Sequence, residues 1–333
     1  MFQPAALQVP PAFRVPAVAR LLGLGPGADT AQARRFIDDA PSSGVDLDLM
    51  WAWGIAPEPG VAPPKSAALI EHVALVVPGA GRVGMVFASP PRPKVRGEAD
   101  TAPGLVAAIG AACTGAALAR DGGLALVQAL AEPHQAWLKR ALVDAGFISV
   151  GRLLYLRRLN DPPPGARPAL DSPWPGGVRI VTASQLGPER EQDRVIGACL
   201  DRTYEGTLDC PGLFGLRQTR DILASHRACG HHDPDLWWIA IKDAQAVACA
   251  LFNPYPDQGS IELVYLGLAP EVRGLGLARR MMELALHTLA RMKMQRVACA
   301  VDERNAPARR LYDRLGFSRF DTREAFVRRT EPQ

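Results

Sequence analysis

The stretch ELVYLGLAPEVRGLGLA, residues 262–278, reads as a strand, a tight turn and the start of a helix. The run 261–268 is rich in branched and aromatic residues, the composition of a buried strand. Pro270 has no N–H to offer a ladder and ends it. Arg273-Gly274-Leu275-Gly276-Leu277-Ala278 follows, and the pattern from Leu277 onward predicts a helix. Such a junction gathers free backbone N–H groups and the positive end of a helix dipole at one point, which suits a pyrophosphate. Gly274 and Gly276 let the backbone approach the phosphates with no Cβ in the way. At position 278 a residue larger than Ala would begin to fill that space.

Working outward, the expected order is a short strand at 178–182, helices at 188–204 and 216–226, and strands at 236–242, 246–253 and 261–268. A helix at 277–294, a strand at 296–301, a helix at 307–315 and a strand pair around 318–328 complete it. The last helix lies in a second motif, NAPARRLYDRLGF, residues 305–317, with Asn after a strand and Leu-Tyr-x-x-x-Gly-Phe at the helix end. Upstream, DPPPGARPALDSPWPGG at 161–177 carries six prolines and reads as a stiff linker. The part before it repeats the element order: strands at 46–53, 67–77 and 81–89, a helix at 101–120, a strand at 124–131, a helix at 134–146 and a strand at 149–157. Asp144-Ala145-Gly146-Phe147 mirrors Arg314-Leu315-Gly316-Phe317, which suggests an internal duplication. The glycine loop does not repeat. Ser89-Pro90-Pro91-Arg92-Pro93-Lys94-Val95-Arg96-Gly97 stands in its place, proline-stiffened and without the Gly-x-Gly/Ala ending.

A chain of 333 residues is long enough for two domains, each with its own core. A net charge of +4, with 15 Lys/Arg against 12 Asp/Glu up to residue 160 and 23 against 22 after it, points to neither nucleic acid nor an anionic membrane as partner. The apolar run 104–119 is too short and too interrupted for a membrane span, and MFQPAALQVPPAF lacks the features of a signal peptide. Six scattered cysteines without C-x-x-C suggest a reduced, cytoplasmic protein.

Arg273, Gly276 and Ala278, together with the 305–317 motif, resemble the two halves of the acyl-CoA-binding signature of the GNAT acetyltransferase superfamily (Arg/Gln-x-x-Gly-x-Gly/Ala, then Asn and Leu-Tyr-x-x-x-Gly-Phe). The resemblance implies an α/β (α+β) fold of two tandem GNAT-like domains, each a mixed, mainly antiparallel twisted sheet flanked by helices. The domains would be a degenerate copy at 1–160, the Pro-rich linker at 161–177 and a catalytic copy at 178–333. It further implies acetyl transfer from acetyl-CoA, a co-substrate used without a metal, to a primary amine of a small molecule or peptide by direct attack in a ternary complex. The cofactor would lie against the strand edge Leu266-Gly267-Leu268, the loop Arg273, Gly274, Leu275, Gly276, Leu277 and Ala278, and Asn305. The N–H of Leu268 would hold the developing oxyanion. Glu262 matches the position of a catalytic base and Tyr312 that of a general acid; the alternatives are a solvent-facing edge glutamate and a packed tyrosine. Asn305 also reads as an N-cap. The connection 204–212 would form the acceptor wall, with Tyr204, Glu205 and Asp209 as contacts or simply as parts of a capped surface loop. The tandem layout also resembles the mycothiol synthases, which acetylate an aminosugar–cysteine conjugate, although Ala298-Cys299-Ala300-Val301 lacks the aromatic expected there. Two alternatives remain: a non-catalytic acyl-CoA sensor, and an N-terminal copy that acts as an interaction module presenting a protein N-terminus or lysine to the C-terminal site.

Other patterns read as structural. Gly79-Ala80-Gly81-Arg82-Val83-Gly84 matches G-x-G-x-x-G, with Glu98 or Asp100 downstream, but strand-like residues follow it and a hairpin is expected. Cys229, His231 and His232 crowd one loop without a partner motif for a metal. No histidine pairs visibly with Cys210 to make it a nucleophile.

Overall fold

The computed structural model describes residues 6–24, 30–54, 70–91, 103–118, 123–170 and 173–330. The sequence readings at 67–69, 92–97, Glu98, Asp100, 101–102, 119–120 and 171–172 lie outside the described residues.

The chain forms two compact units, one of Met1–Ser149 with Glu324–Gln333, the other of Val150–Arg323. The first contains β1 (Leu7–Gln8), α1 (Arg14–Leu21), α2 (Thr30–Asp39), β2 (Met50–Trp53), β3 (His72–Pro78), β4 (Val83–Ala88), α3 (Pro103–Leu118), β5 (Leu126–Ala131) and α4 (Ala136–Asp144). β6 (Ile148–Leu159) follows, and the second unit adds β7 (Arg179–Thr182), α5 (Glu189–Tyr204), α6 (Thr219–Ala228), β8 (Trp237–Lys242), β9 (Gln245–Tyr255), β10 (Ser260–Leu268), α7 (Leu277–Leu289), β11 (Arg296–Asp302) and α8 (Ala306–Arg314). β12 (Ser318–Arg329) ends the chain's regular structure.

The first unit's sheet runs β1-β2-β3-β4-β5 and ends on the last half of β12, where Glu324–Arg329 pair antiparallel with Ala131–Leu126. The second unit's sheet runs β7-β8-β9-β10-β11 and ends on β6. In each, neighbours are antiparallel except one pair, β4 with β5 and β10 with β11. The sixth strand of each copy therefore comes from the other end of the sequence pattern. β6, expected to finish the first copy, aligns seven residues with β11, from Arg296↔Leu159 to Asp302↔Leu153. Residues 318–328, expected as a strand pair, form one continuous strand because no turn interrupts the 12-residue run.

The segment 161–177 does not stand apart as a spacer: Trp174 is buried in the second unit's core, and Arg280 lies over its ring at 4.7 Å. On α7 the stripe Leu277, Met281, Met282, Leu284, Ala285, Leu286 and Leu289 is fully buried against the sheet, the helical spacing seen in the sequence. Each large member of it contributes about 1.5–3 kcal/mol of apolar burial. In the first unit α3 is apolar all round. A Cβ on Gly104 or Gly115 would sit 2.3 Å from Trp53 or 2.6 Å from Trp51, so the glycines that break the apolar run are notches for two tryptophan rings. The G-x-G-x-x-G segment is the β3–β4 hairpin, closed by Gly79 N–H to Val83 O at 2.7 Å, with no helix start. Among the described residues no helix is long and apolar enough to cross a membrane.

Candidate active site

The second unit's sheet opens at one point. β10 and β11 pair in parallel only from Ser260↔Arg296 to Leu263↔Cys299, and β10 then continues to Leu268 paired with β9 alone. A shift in register against β9 lies between Leu263 and Tyr265, the mark of a β-bulge at Val264. The bulge reverses the facing pattern, so Glu262 and Tyr265, three residues apart, share a face, while Leu263 turns to the α7 side. Ala269 N–H donates to Val247 O at 2.7 Å, and the register places Leu268 opposite Ala248. Antiparallel ladders alternate inward and outward pairs, so the N–H groups of Leu266 and Leu268 point away from β9, into the gap beside β11. Gly267 lies under the Tyr265 ring, where a Cβ would come within 2.5 Å of the ring.

Beyond β10 the chain makes a short 3₁₀ turn at Pro270–Val272 and enters α7 through Gly276. Gly274 and Gly276 have φ of 75° and 81°, and a Cβ on either would meet nothing within 4 Å. Their left-handed backbone favours glycine, and the space above them is open. No side chain caps the first turn of α7, which leaves the loop's donors available to an anion. Leu275 is exposed, Ala278 half-buried, and Leu277 is anchored in the core. Arg273 is used differently from its neighbours. Its guanidinium donates to Leu268 O at 2.9 Å, Thr203 O at 3.1 Å, Glu205 O at 2.6 Å and Gly206 O at 3.3 Å. It is a clasp that holds the end of β10 against the carbonyl end of α5, where a cation is favoured.

At the gap, Glu262 is half-buried and accepts a hydrogen bond from the Tyr255 hydroxyl. Burial raises its pKa above the ordinary value, against the lowering effect of that bond. Tyr155, opposite Ala300 on β11, lies on the same side and is pushed up to about 12 by burial and then by the charge of Glu262. Tyr312 occupies the other face, in the α7 cluster, with its ring 5.5 Å from Phe317. It is 5% exposed, and its hydroxyl has no hydrogen-bond partner among the described residues. Burial, then Cys299 and Asp209, raises its pKa, so it keeps its proton. Burial, then the charges of Glu262 and Asp209, push the Cys299 thiol up, so it stays neutral.

The acceptor-wall connection is pinned to the end of β11. Asp302 N–H donates to Asp209 Oδ1 at 2.8 Å, and Cys210 N–H returns a bond to Asp302 Oδ2 at 3.2 Å. Asp302 has no exposed surface. Burial opposes its charge, but Arg304 bonds it at 2.6, 2.8 and 3.0 Å and holds its pKa below the usual value. Asp209 also takes a bond from Asn305, which in turn caps α8 by accepting from Ala308 N–H at 3.2 Å. Asp209 is therefore a latch for the loop. Tyr204 packs on Tyr265 at 5.5 Å and bonds its hydroxyl, while Glu205 is exposed at the end of α5. The Cys210 thiol is pushed up to about 12 by burial and the charges of Asp209 and Asp302, opposite to what a nucleophile needs.

Four contributors are absent from the sequence reading: Tyr255, Tyr155, Asp302 and Asn253. Asn253 is fully buried, accepts from Trp237 Nε1 at 2.8 Å and donates to His226 O at 2.8 Å and to Cys229 O. It ties the end of α6 to the sheet opposite Glu262. A lone Asn inside the apolar run QAVACALFNPY was the available signal. Cys229 bonds Tyr255, His232 packs edge-on against Trp237 at 4.3 Å, and no group of three metal-ligating side chains occurs among the described residues.

Residues 201–317 match the Acetyltransferase (GNAT) family. The chain is 31% identical over 218 residues to a mycothiol acetyltransferase of Thermomonospora curvata, covering 60% of this chain and 67% of that one. A mycothiol acetyltransferase of Tsukamurella paurometabola is 28% identical over 291 residues, 80% of this chain and 87% of that one. The crystal structure of a GCN5-related N-acetyltransferase from Sphaerobacter thermophilus has the same fold, with a TM-score of 0.54 over 98% of this chain and 96% of that one, at 19% identity. By sequence and by fold, the chain belongs to the GNAT superfamily of N-acetyltransferases.

Proposed function

We propose that the chain moves an acetyl group from acetyl-CoA to a primary amine, with the chemistry in Val150–Arg323. The observation that carries this reading is the parting of β10 and β11 after Leu263, with Glu262 and Tyr312 on opposite faces of the sheet at that point. The residues suit a coenzyme A thioester: an open left-handed glycine loop at an uncapped helix start, and two outward N–H groups on an unpaired strand edge. Acetyl-CoA supplies the acyl group as an activated thioester. Leu266 and Leu268 bind the pantetheine arm through their backbone, and the N–H of Leu268 donates to the thioester oxygen as negative charge develops there. Glu262, its pKa raised by burial, takes a proton from the acceptor ammonium so that the nitrogen lone pair can attack. The C–S bond breaks as the C–N bond forms; the Tyr312 hydroxyl gives its proton to the leaving sulfur, and the nitrogen's second proton passes to solvent as the amide forms and the tyrosine is reprotonated.

A second reading, acetylation of an aminosugar–cysteine conjugate, is favoured by the identity to the Thermomonospora curvata mycothiol acetyltransferase. A thiol-release assay with acetyl-CoA across polyamines, aminosugars, aminosugar–cysteine conjugates, amino acids and peptides tests both. Turnover with at least one amine is expected. Failure of the protein to bind acetyl-CoA by calorimetry would overturn the proposal, and binding without turnover on any amine would favour a sensor.

A further inference from the structure

Arg217 precedes α6 on the acceptor side of the second unit, and the reaction scheme leaves it without a task. Its Nη2 donates to Asp221 O at 2.9 Å and to Ser225 Oγ, two neutral acceptors that fix its position. Its Nε is buried with no partner, and Nη1 makes no bond among the described residues. Among the described residues no carboxylate lies within ion-pair distance: the buried Asp221, whose Oδ2 has no partner, offers Arg217 its backbone carbonyl and acts on the guanidinium only through space. Burial lowers the Arg217 pKa against the opposing effects of Tyr204, Asp221 and Cys229, the sign of a guanidinium short of water.

Its surroundings locate it. The Arg217 charge acts on Tyr204, on His226 and on Cys229. Cys229 bonds the Tyr255 hydroxyl, which also bonds Glu262, and the Cys229 thiol feels Glu262 and Arg217 together. Cys229 is thus coupled both to the carboxylate that would receive the amine and to a guanidinium that no carboxylate bonds. His226 beside it is a poor substitute as a cation: burial and then Arg217 drop its pKa to about 4, its Nε2 has no partner, and it stacks on Tyr265 at 5.4 Å.

We propose that Arg217 receives an anionic group of the acceptor, so that the substrate class is an amine that also carries a carboxylate or another oxyanion. The inference rests on the acetyltransferase reading for the role of Glu262. A half-buried guanidinium gains from an anion what it has lost in hydration. A polyamine instead brings a second cation toward Arg217, and like charges repel.

The test compares amine acceptors with and without an acid group: alanine with alaninamide, β-alanine with propylamine, phosphoethanolamine with ethanolamine. The wild-type protein is expected to prefer the anionic member about 10- to 100-fold in kcat/KM, the range for a charge-assisted hydrogen bond. In Arg217→Gln the preference collapses, mainly through KM, while acetyl-CoA affinity and Tm stay near the wild-type values; Arg217→Lys restores part of it. The carboxylate and phosphate arms show which oxyanion fits. Equal use of anionic and neutral members by the wild-type protein overturns the inference and leaves the acetyltransferase reading intact. If no amine turns over, a Tm rise with the acids in the wild-type protein, lost in Arg217→Gln, still supports the anion site, and no rise with any acid sinks it. A loss of Tm in Arg217→Gln with unchanged selectivity assigns Arg217 to structure alone.

Discussion

The two units differ where their middle strands meet. In the first, β4 pairs with β3 without a register shift, from Ala74↔Ala88 to Pro78↔Gly84, and pairs with β5 through Val83, Gly84 and Met85. In the second, β10 carries the bulge after Leu263 and runs on past its last partner in β11. Counting from the first parallel pair, Met85 stands where the second unit has Glu262. Counting back from the Gly-Phe at the helix end, Leu142, which is fully buried, stands where the second has Tyr312. In one copy these positions hold two apolar side chains, and in the other a carboxylate and a phenol. The two copies share a strand order and differ here by one extra residue and two side chains.

The comparison breaks first at the glycine loop. Gly276→Trp is expected to abolish acetyl-CoA binding by calorimetry, because the open space above the loop is filled. Stability should fall by only about 1–2 kcal/mol, the cost of a non-glycine residue at φ of 81°. Retained binding would remove the loop from the site. Glu262→Gln comes next, with an expected loss of about 10²- to 10⁴-fold in kcat/KM. Its pKa is raised, so it is protonated and inactive as a base at low pH and becomes active as pH rises through that value. The acid limb of the pH profile due to Glu262 should therefore disappear in the variant, and an unaltered profile would exclude the base role. The smallest effect on turnover sharpens the contrast. Leu142→Ala should cost about 2–5 kcal/mol in denaturant unfolding and leave kcat of the folded protein unchanged. Tyr312→Phe should do the reverse, lowering kcat with little change in Tm. If both variants act alike, the division of labour between the copies is wrong.

Much of the second unit was legible in the sequence because local chemistry decides it. The 3.6-residue stripe of α7, the proline after β10 and the two left-handed glycines each follow from the covalent nature of nearby residues. The first unit was harder: the buried residues of α1, Pro16 to Arg20, run consecutively without a helical stripe, α2 buries only Ala33, and neither registered as a helix. Trp174 lay in a proline-rich segment whose composition suggests solvent, and it is buried in the core.

By itself the sequence determined the two-copy element order, the acyl-CoA-type signature and the candidates Glu262 and Tyr312. These depend on spacing along the chain, which a sequence records directly. Tertiary structure decided that β6 completes the second sheet and the end of β12 the first, since strand partners are chosen by hydrogen bonds between residues far apart in the chain. It also turned Arg273 into a clasp and Asp209 into a latch. Finally, it set Tyr255 against Glu262 and left the buried Nε of Arg217 without a partner, because burial and partners are properties of the folded surface.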